Sequence, residues 1–222
     1  MTLKPIRLFH YWRSTSSWRV RWALAIKGFD CEMVAVDLLN GESESPEHLV
    51  RNPLGYVPVL ELSDGTFLTE SIAIIEWLEE IAPTPALLPV GTQPADRVSR
   101  ARVRQFVELI NADTQPLQNI TTQFMHSDDP EKRKAWAQHF IHAGLNAYEK
   151  ILTVFEVQSG TPSRYSVGDH LTLADLCLIP QCYNADRFEV SLEAFPRIQK
   201  IRAFALQHPS YAKAEPTIFA PA

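Results

Sequence analysis

The sequence predicts two successive parts, an α/β N-terminal half and an all-helical C-terminal half. A pattern of strand, helix, strand, then strand, strand, helix fills residues 5–81. A segment rich in proline and glycine, 82–95, follows it and is typical of a linker between domains. Beyond the linker the pattern changes to helices. With 222 residues and 45% hydrophobic content, the chain is long enough for one large or two small domains.

The first elements follow from apolar spacing and from turn residues. Residues 5–10 predict a strand, and the hydroxyl residues Ser14–Ser17 predict a turn into a helix that Gly28 should end. Residues 31–38 predict a second strand, so the strand, helix and strand make a βαβ unit. Pro46 then suits the first turn of a short helix.

Pro58 lies inside the third predicted strand, 57–62, where it removes a backbone donor. This predicts an edge position, a bulge or a cis bond, and a strand start whose free backbone groups could pair with an extended ligand. Residues 63–65, Ser-Asp-Gly, predict a hairpin turn. Residues 69–80 then predict a long amphipathic helix.

The sequence of the C-terminal half predicts a series of helices that is interrupted once by a proline. Three of them span about 97–110, 130–155 and 196–207. Pro116 should kink the chain after the first of these helices. Thr172 and Asp175 resemble a capping box in front of an additional, largely apolar helix.

Composition excludes several classes of protein. A net charge of -5 without lysine or arginine runs argues against nucleic acid as a partner. No apolar run reaches the roughly 18 residues of a membrane span, and the N-terminus lacks the order of a signal peptide, so we expect a cytosolic protein. The three cysteines form no metal-ligand pattern and are expected to be reduced core residues.

The hydroxyl residues Ser14–Ser17 are the first candidate site. At a helix start they bring hydroxyl donors, free backbone N–H groups and the positive dipole end to one point, which suits an anion. Arg13, Arg19 and Arg21 flank this point. The alternative is that the hydroxyls only cap a surface helix and the arginines are solvated.

Several separated segments together resemble the cytosolic glutathione transferases. NPxxxVPxL at 52–60 and ESIAIIEWLEE at 70–80 match the general pattern. More narrowly, SxSSWRVR at 14–21, QPLQN at 115–119, and VGDHLTLADLCLIPQ with NADRF at 167–188 resemble the zeta class. The resemblance covers nearly the whole chain.

The resemblance implies both a fold and a function. The fold is a thioredoxin-like domain over 1–84, which binds glutathione, and an all-helical substrate-binding domain over 95–222. The function is the cis–trans isomerisation of maleylacetoacetate to fumarylacetoacetate in aromatic amino-acid catabolism, by reversible addition of the glutathione thiolate. Maleylpyruvate is the alternative substrate. A homodimer is expected from the family, without nucleic acid, membrane or metal.

By the same resemblance, Ser14 donates a hydrogen bond to the thiolate of glutathione, and Thr15 and Ser16 are the other catalytic residues. They would donate to the sulfur or to the oxygen on which negative charge develops. The backbone of Val57, before a cis Pro58, would hold the cysteinyl part of glutathione as an added strand.

The resemblance also implies the residues that bind charged groups. Glu70 and Ser71 would hold the γ-glutamyl end of glutathione, the first by accepting from its ammonium and the second by donating to its carboxylate. Gln115 could reach the same end. Arg13 and Arg187 would bind the carboxylates of the substrate.

The sequence departs from the zeta pattern at one important position. Ser16 stands where that pattern most often has cysteine, and Thr15 replaces its second serine. The missing thiol counts against a reductive dehalogenase and less against an isomerase. A broad glutathione conjugator and a non-catalytic binding module remain alternatives. For Arg187, the alternative role is a salt bridge with Asp186 or Glu189.

Overall fold

The structure is a computed structural model that describes residues 3–160 and 162–221. The chain forms two compact units, one of Met1–Ala86 with Pro209–Ala222 and one of Leu87–His208. The sequence predicts a helical domain over 95–222, whereas the contacts group the last segment of that range with the first unit.

The first unit is built on a mixed β-sheet. Its strands are β1 (Pro5–His10), β2 (Glu32–Ala35), β3 (Val59–Leu62) and β4 (Phe67–Leu68), and its helices are α1 (Thr15–Lys27), α2 (Pro46–Arg51) and α3 (Ser71–Ile81). The strand order is β2-β1-β3-β4. Strand β1 pairs parallel with β2 and antiparallel with β3, and α1 packs against α3. The predicted α/β, thioredoxin-like half is confirmed.

Pro58 precedes β3, and the Val57–Pro58 peptide bond is cis. The cis bond is one of the three arrangements that the sequence predicts. The edge position is wrong, because β3 lies between β1 and β4. Since β3 begins only at Val59, the missing donor of Pro58 does not interrupt the pairing with β1.

Helix α1 begins and ends where the sequence predicts. Ser14 is its N-cap, and Gly28 ends it in the left-handed conformation with φ 70°. The N–H of Gly28 donates to Leu24 O, which satisfies one of the last carbonyls of the helix. Glycine suits this position because a side chain at positive φ would clash with the backbone.

The C-terminal segment packs on α1. Trp22 Nε1 donates to Ser210 Oγ at 2.8 Å. The Arg21 side chain is 1% exposed, its Nε donates to Ala214 O at 3.3 Å, and its guanidinium lies 4.7 Å from the centre of the Phe219 ring. Leaving such buried donors unpaired costs about 1–3 kcal/mol each. These contacts explain why segment 209–222 belongs to the first unit.

The second unit is helical in the residues described. Its helices are α4 (Pro94–Asn111), α5 (Gln115–Gln118), α6 (Ile120–His126), α7 (Pro130–Ser159), α8 (Leu173–Arg187) and α9 (Pro196–Ala205). At the break predicted around Pro116, the chain forms the two short helices α5 and α6. No helix within residues 3–160 and 162–221 combines the length and the apolar character needed to cross a membrane.

Helix α8 is buried over most of its length and begins with the predicted capping box. Asp175 Oδ2 accepts from both N–H and Oγ1 of Thr172 at 2.8 Å, and its Oδ1 accepts from the N–H of Ser166 at 2.8 Å. Burial raises the pKa of Asp175, and these donors oppose that rise. The carboxylate therefore ties the preceding loop to the start of the helix.

His10, at the end of β1, should make stability depend on pH. Its Nδ1 lies 3.1 Å from Arg21 Nη1, which can only donate, so the ring is neutral and accepts. Burial, with the charge of Arg21, lowers the pKa of His10 from 6.5 to about 3. The pKa of His10 is lower in the folded than in the unfolded protein, so its contribution to the free energy of unfolding is fully present above the unfolded pKa. It falls as the pH drops toward the folded pKa, by about 2 kcal/mol between about pH 7 and pH 5.

Urea unfolding of wild type and His10→Asn at both pH values measures this contribution. Asparagine keeps an acceptor for Arg21 but does not titrate, so the variant should lose about 2 kcal/mol less than wild type on acidification. An equal loss in the two proteins would contradict this role of His10.

Candidate functional site

Ser14 determines the geometry at the start of α1. Its Oγ accepts from the N–H of Ser17 at 3.2 Å, and its carbonyl accepts from the N–H of Trp18 at 2.9 Å. The N–H groups of Thr15 and Ser16 precede this first intrahelical bond, so they have no acceptor within the helix. These N–H groups and the positive dipole end favour an anion beside the first turn.

The hydroxyl of Ser14 can cap the helix and still donate. It accepts the Ser17 N–H through its oxygen, while its own proton remains for another partner. Ser14 and Ser16 are partly exposed, whereas Thr15 is 6% exposed. Arg13, directly before the cap, is exposed, and its guanidinium lies 4.3 Å from the centre of the Trp12 ring.

The backbone ahead of β3 is open at Val57. Within the described part of the chain, neither its N–H nor its C=O takes part in a backbone hydrogen bond. Such a pair of groups beside a strand is what an extended peptide needs to bind as an added strand. The cis bond to Pro58 directly follows these groups.

Glu70 and Ser71 form the start of α3. Glu70 is exposed, has φ 64°, and makes no side-chain cap to the helix. Positive φ is uncommon for a residue with a side chain and is concentrated at functional positions. The carboxylate of Glu70 can accept from an ammonium group, while Ser71 supplies a hydroxyl and a helix-start N–H. This combination suits the charged end of an amino acid.

Arg19 connects the two helix starts. Its side chain is 0% exposed, Nη1 donates to Ser71 Oγ at 3.2 Å, and Nη2 donates to Ser16 Oγ at 3.4 Å. The alternative in which this arginine is solvated is therefore wrong. Sequence reasoning did not find this link because Arg19 and Ser71 are 52 residues apart and share no local pattern.

Gln115 belongs to the second unit, where it is the first residue of α5 and is partly buried. Helix α5 is held to α8 by a reciprocal amide pair. Gln118 Nε2 donates to Gln181 Oε1 at 2.7 Å, and Gln181 Nε2 donates to Gln118 Oε1 at 2.9 Å. Because both side chains are buried, the pair fixes the helix that carries Gln115.

Arg187, also in the second unit, is the last residue of α8 and is exposed. Its Nη1 donates to Asn184 Oδ1 at 3.1 Å, one turn earlier on the same helix. The two carboxylates proposed as alternative partners, Asp186 and Glu189, form ion pairs with other basic residues of this unit. In the described ranges of both units, no group of three or more His, Cys, Asp or Glu residues could hold a metal ion.

Comparisons with known proteins connect this geometry to a family. The family profiles "Glutathione S-transferase, N-terminal domain" and "Glutathione S-transferase, C-terminal domain" match residues 4–80 and 115–213. The chain is 42% identical over 215 residues to a maleylacetoacetate isomerase of Rattus norvegicus, covering 93% of each protein.

Solved structures agree with these matches. The chain is similar to a zeta-class maleyl pyruvate isomerase, with TM-score 0.87 and 36% identity over 96% of this chain and 97% of that one. It is also similar to a maleylacetoacetate isomerase from Anaeromyxobacter dehalogenans, with TM-score 0.81 and 40% identity over 97% and 92% of the two chains. That structure holds dicarboxyethyl glutathione and citrate in its active site.

Replacing Ser14 tests its role as a cap. Ser14→Ala should lower the free energy of unfolding by about 1 kcal/mol, because the Ser17 N–H loses its acceptor. Ser14→Gly should cost only a few tenths of a kcal/mol, since glycine is tolerated at this position. Urea unfolding measures both variants.

Ser45 provides a matched reference for this comparison. It caps α2 by accepting from the N–H of His48 at 3.2 Å, so Ser45→Ala should cost about as much as Ser14→Ala. Equal stability of Ser14→Ala and wild type would argue against the cap.

Proposed function

The chain belongs to the glutathione S-transferase family, and from that premise we propose that it is a glutathione-dependent cis–trans isomerase that converts maleylacetoacetate to fumarylacetoacetate. The observation that carries the proposal is its near full-length similarity to isomerases of this class. The anion-favouring start of α1 supplies the chemistry that such a reaction requires. The reaction belongs to aromatic amino-acid catabolism.

The first unit offers a group for each part of glutathione. Ser14 donates to the sulfur, the open backbone of Val57 before Pro58 pairs with the cysteinyl residue, and Glu70 and Ser71 bind the γ-glutamyl end. When bound, glutathione supplies a thiolate that adds to the carbonyl-conjugated double bond and is later expelled unchanged. We also assign Gln115 to the γ-glutamyl end.

A hydrogen bond from Ser14, together with the helix dipole, is strong enough to lower the pKa of the glutathione thiol to about 7. Moving a thiol pKa from about 8.5 to about 7 takes roughly 2 kcal/mol. One charge-assisted hydrogen bond contributes about 1.5–3 kcal/mol, and the helix dipole adds up to about 1 kcal/mol. Because this raises the thiolate fraction only about tenfold, most of the acceleration comes from positioning and from stabilising charge on the substrate. Thr15 and Ser16 would donate hydrogen bonds to the negative charge that develops on the substrate.

The substrate carries two carboxylates, and arginine is the residue best suited to bind them. We assign this role to Arg13 and Arg187. Arg187 is exposed, so an external anion can reach its guanidinium, which supports a role in binding the substrate.

A second candidate substrate is maleylpyruvate. The similarity to a maleyl pyruvate isomerase, with TM-score 0.87, favours it. A broad-specificity glutathione transferase is a further alternative, and a non-catalytic module is the least favoured. We also propose that the protein works in the cytosol as a homodimer, as members of the family are expected to do.

Incubation with maleylacetoacetate or maleylpyruvate, with and without glutathione, tests the function. We expect conversion to the fumaryl form only when glutathione is present. Ser14→Gly should retain the helix but lose about tenfold of the activity at neutral pH, because the sulfur loses its donor and a smaller fraction of it is ionised. Failure to convert either substrate, together with good conjugation of a chloroaromatic, would identify a conjugating transferase instead.

Arg187→Ala should discriminate between kinds of substrate. Loss of a charge-assisted contact should lower kcat/KM about 10- to 150-fold for the dicarboxylate and leave conjugation of an uncharged chloroaromatic nearly unchanged. Arg202→Ala is the matched control, since Arg202 already pairs with Asp186. Equal losses on both substrates would remove the proposed role of Arg187.

A further inference from the structure

We propose that Arg19 is a positioning residue that turns the hydroxyls of Ser16 and Ser71 into hydrogen-bond donors toward bound glutathione and its substrate. This inference rests on the proposed function and extends it to a buried residue that does not itself contact the ligand. One side chain would thereby connect the γ-glutamyl site with the turn that carries the catalytic hydroxyls.

The geometry of Arg19 carries the inference. The residue lies on α1, and its guanidinium reaches Ser71 Oγ at the start of α3 at 3.2 Å and Ser16 Oγ at 3.4 Å. Its side chain is 0% exposed, so water does not compete for these contacts. The cost of burying an arginine is large, and it is lowest where its N–H groups have fixed acceptors.

The chemistry of arginine determines which way each hydroxyl proton points. A guanidinium has five N–H donors and no acceptor, so the oxygens of Ser16 and Ser71 can only accept from Arg19. Each hydroxyl proton therefore points away from the guanidinium, because Arg19 offers no acceptor. A donor that already accepts from a cation is polarised, which strengthens its bond to an anion. The natural anion at Ser71 is the γ-glutamyl carboxylate.

Ser16 gains a role from this arrangement that a cysteine would fill less well. A hydroxyl oxygen is a good acceptor, whereas a thiol sulfur is a weak one. With serine at this position, Arg19 orients an O–H group in the first turn of α1, where it can donate to the sulfur or to charge on the substrate. Because its contact to Arg19 is longer than that of Ser71, we expect the larger effect at the γ-glutamyl end.

Isothermal calorimetry with two ligands tests the inference without turnover. One ligand is glutathione, and the other is γ-aminobutyryl-cysteinylglycine, which lacks the γ-glutamyl α-carboxylate. Wild type should bind glutathione at least about tenfold more tightly than the analogue, and in Arg19→Met this ratio should fall to about twofold or less. Arg19→Lys should retain part of the ratio, because lysine also only donates.

Arg21→Met is the matched control. Arg21 lies on the same helix, is 1% exposed, and donates to the backbone carbonyls of Ala214 and Trp12 instead of to the hydroxyls. Its loss should weaken both ligands by the same factor and leave their ratio unchanged. A merely structural role of Arg19 would give the same result as this control.

Ser71→Ala completes the test and does not depend on Arg19→Met folding. If Arg19 acts through Ser71, then Arg19→Lys should lower the ratio of the two affinities when Ser71 is present. In the Ser71→Ala background, Arg19→Lys should leave that ratio unchanged. An unchanged ratio in Arg19→Lys and Arg19→Met would overturn the role of Arg19 alone. A wild-type protein that does not bind glutathione would instead overturn the proposed function, and this inference with it.

Discussion

The hydrogen bond from the Ser17 N–H to Ser14 Oγ determines the residue at which α1 begins, and the site depends on that choice. Ser14 is the last residue with extended backbone, and its carbonyl already accepts the first intrahelical hydrogen bond, so the positive end of the helix dipole lies at this residue. With the cap at Ser14, the N–H groups of the first turn face an incoming anion, and Arg19 reaches Ser71 at the start of α3. The cap therefore places the anion site at the end of α1 that also carries Arg19.

Arg19 and Arg21 show how one short stretch of sequence serves two purposes. They are two residues apart, nearly fully buried, and lie on different faces of α1. Arg19 donates to hydroxyls at two helix starts, whereas Arg21 donates to backbone carbonyls, among them that of Ala214 in the C-terminal segment. One arginine supports the site and the other fastens the end of the chain. Both buried arginines thus help to hold the fold together, although the net charge of the chain is -5.

Local patterns in the sequence were sufficient to predict the features that depend on neighbouring residues. The caps Ser14 and Gly28, the capping box before α8 and the cis bond at Pro58 all follow from the residues themselves or from the resemblance. Contacts between distant parts of the chain were not predictable in this way. The central position of β3, the link from Arg19 to Ser71 and the docking of segment 209–222 all depend on tertiary packing, which leaves no local period or turn signal.

In the proposed function, the start of α1 keeps the sulfur of glutathione ionised. The most direct measurement is a pH titration of the thiol of protein-bound glutathione, followed by the ultraviolet absorbance of the thiolate. We expect a pKa of about 7 or lower for the bound thiol, compared with about 8.5 for an ordinary thiol. A bound thiol that titrates at the same pH as free glutathione would contradict it.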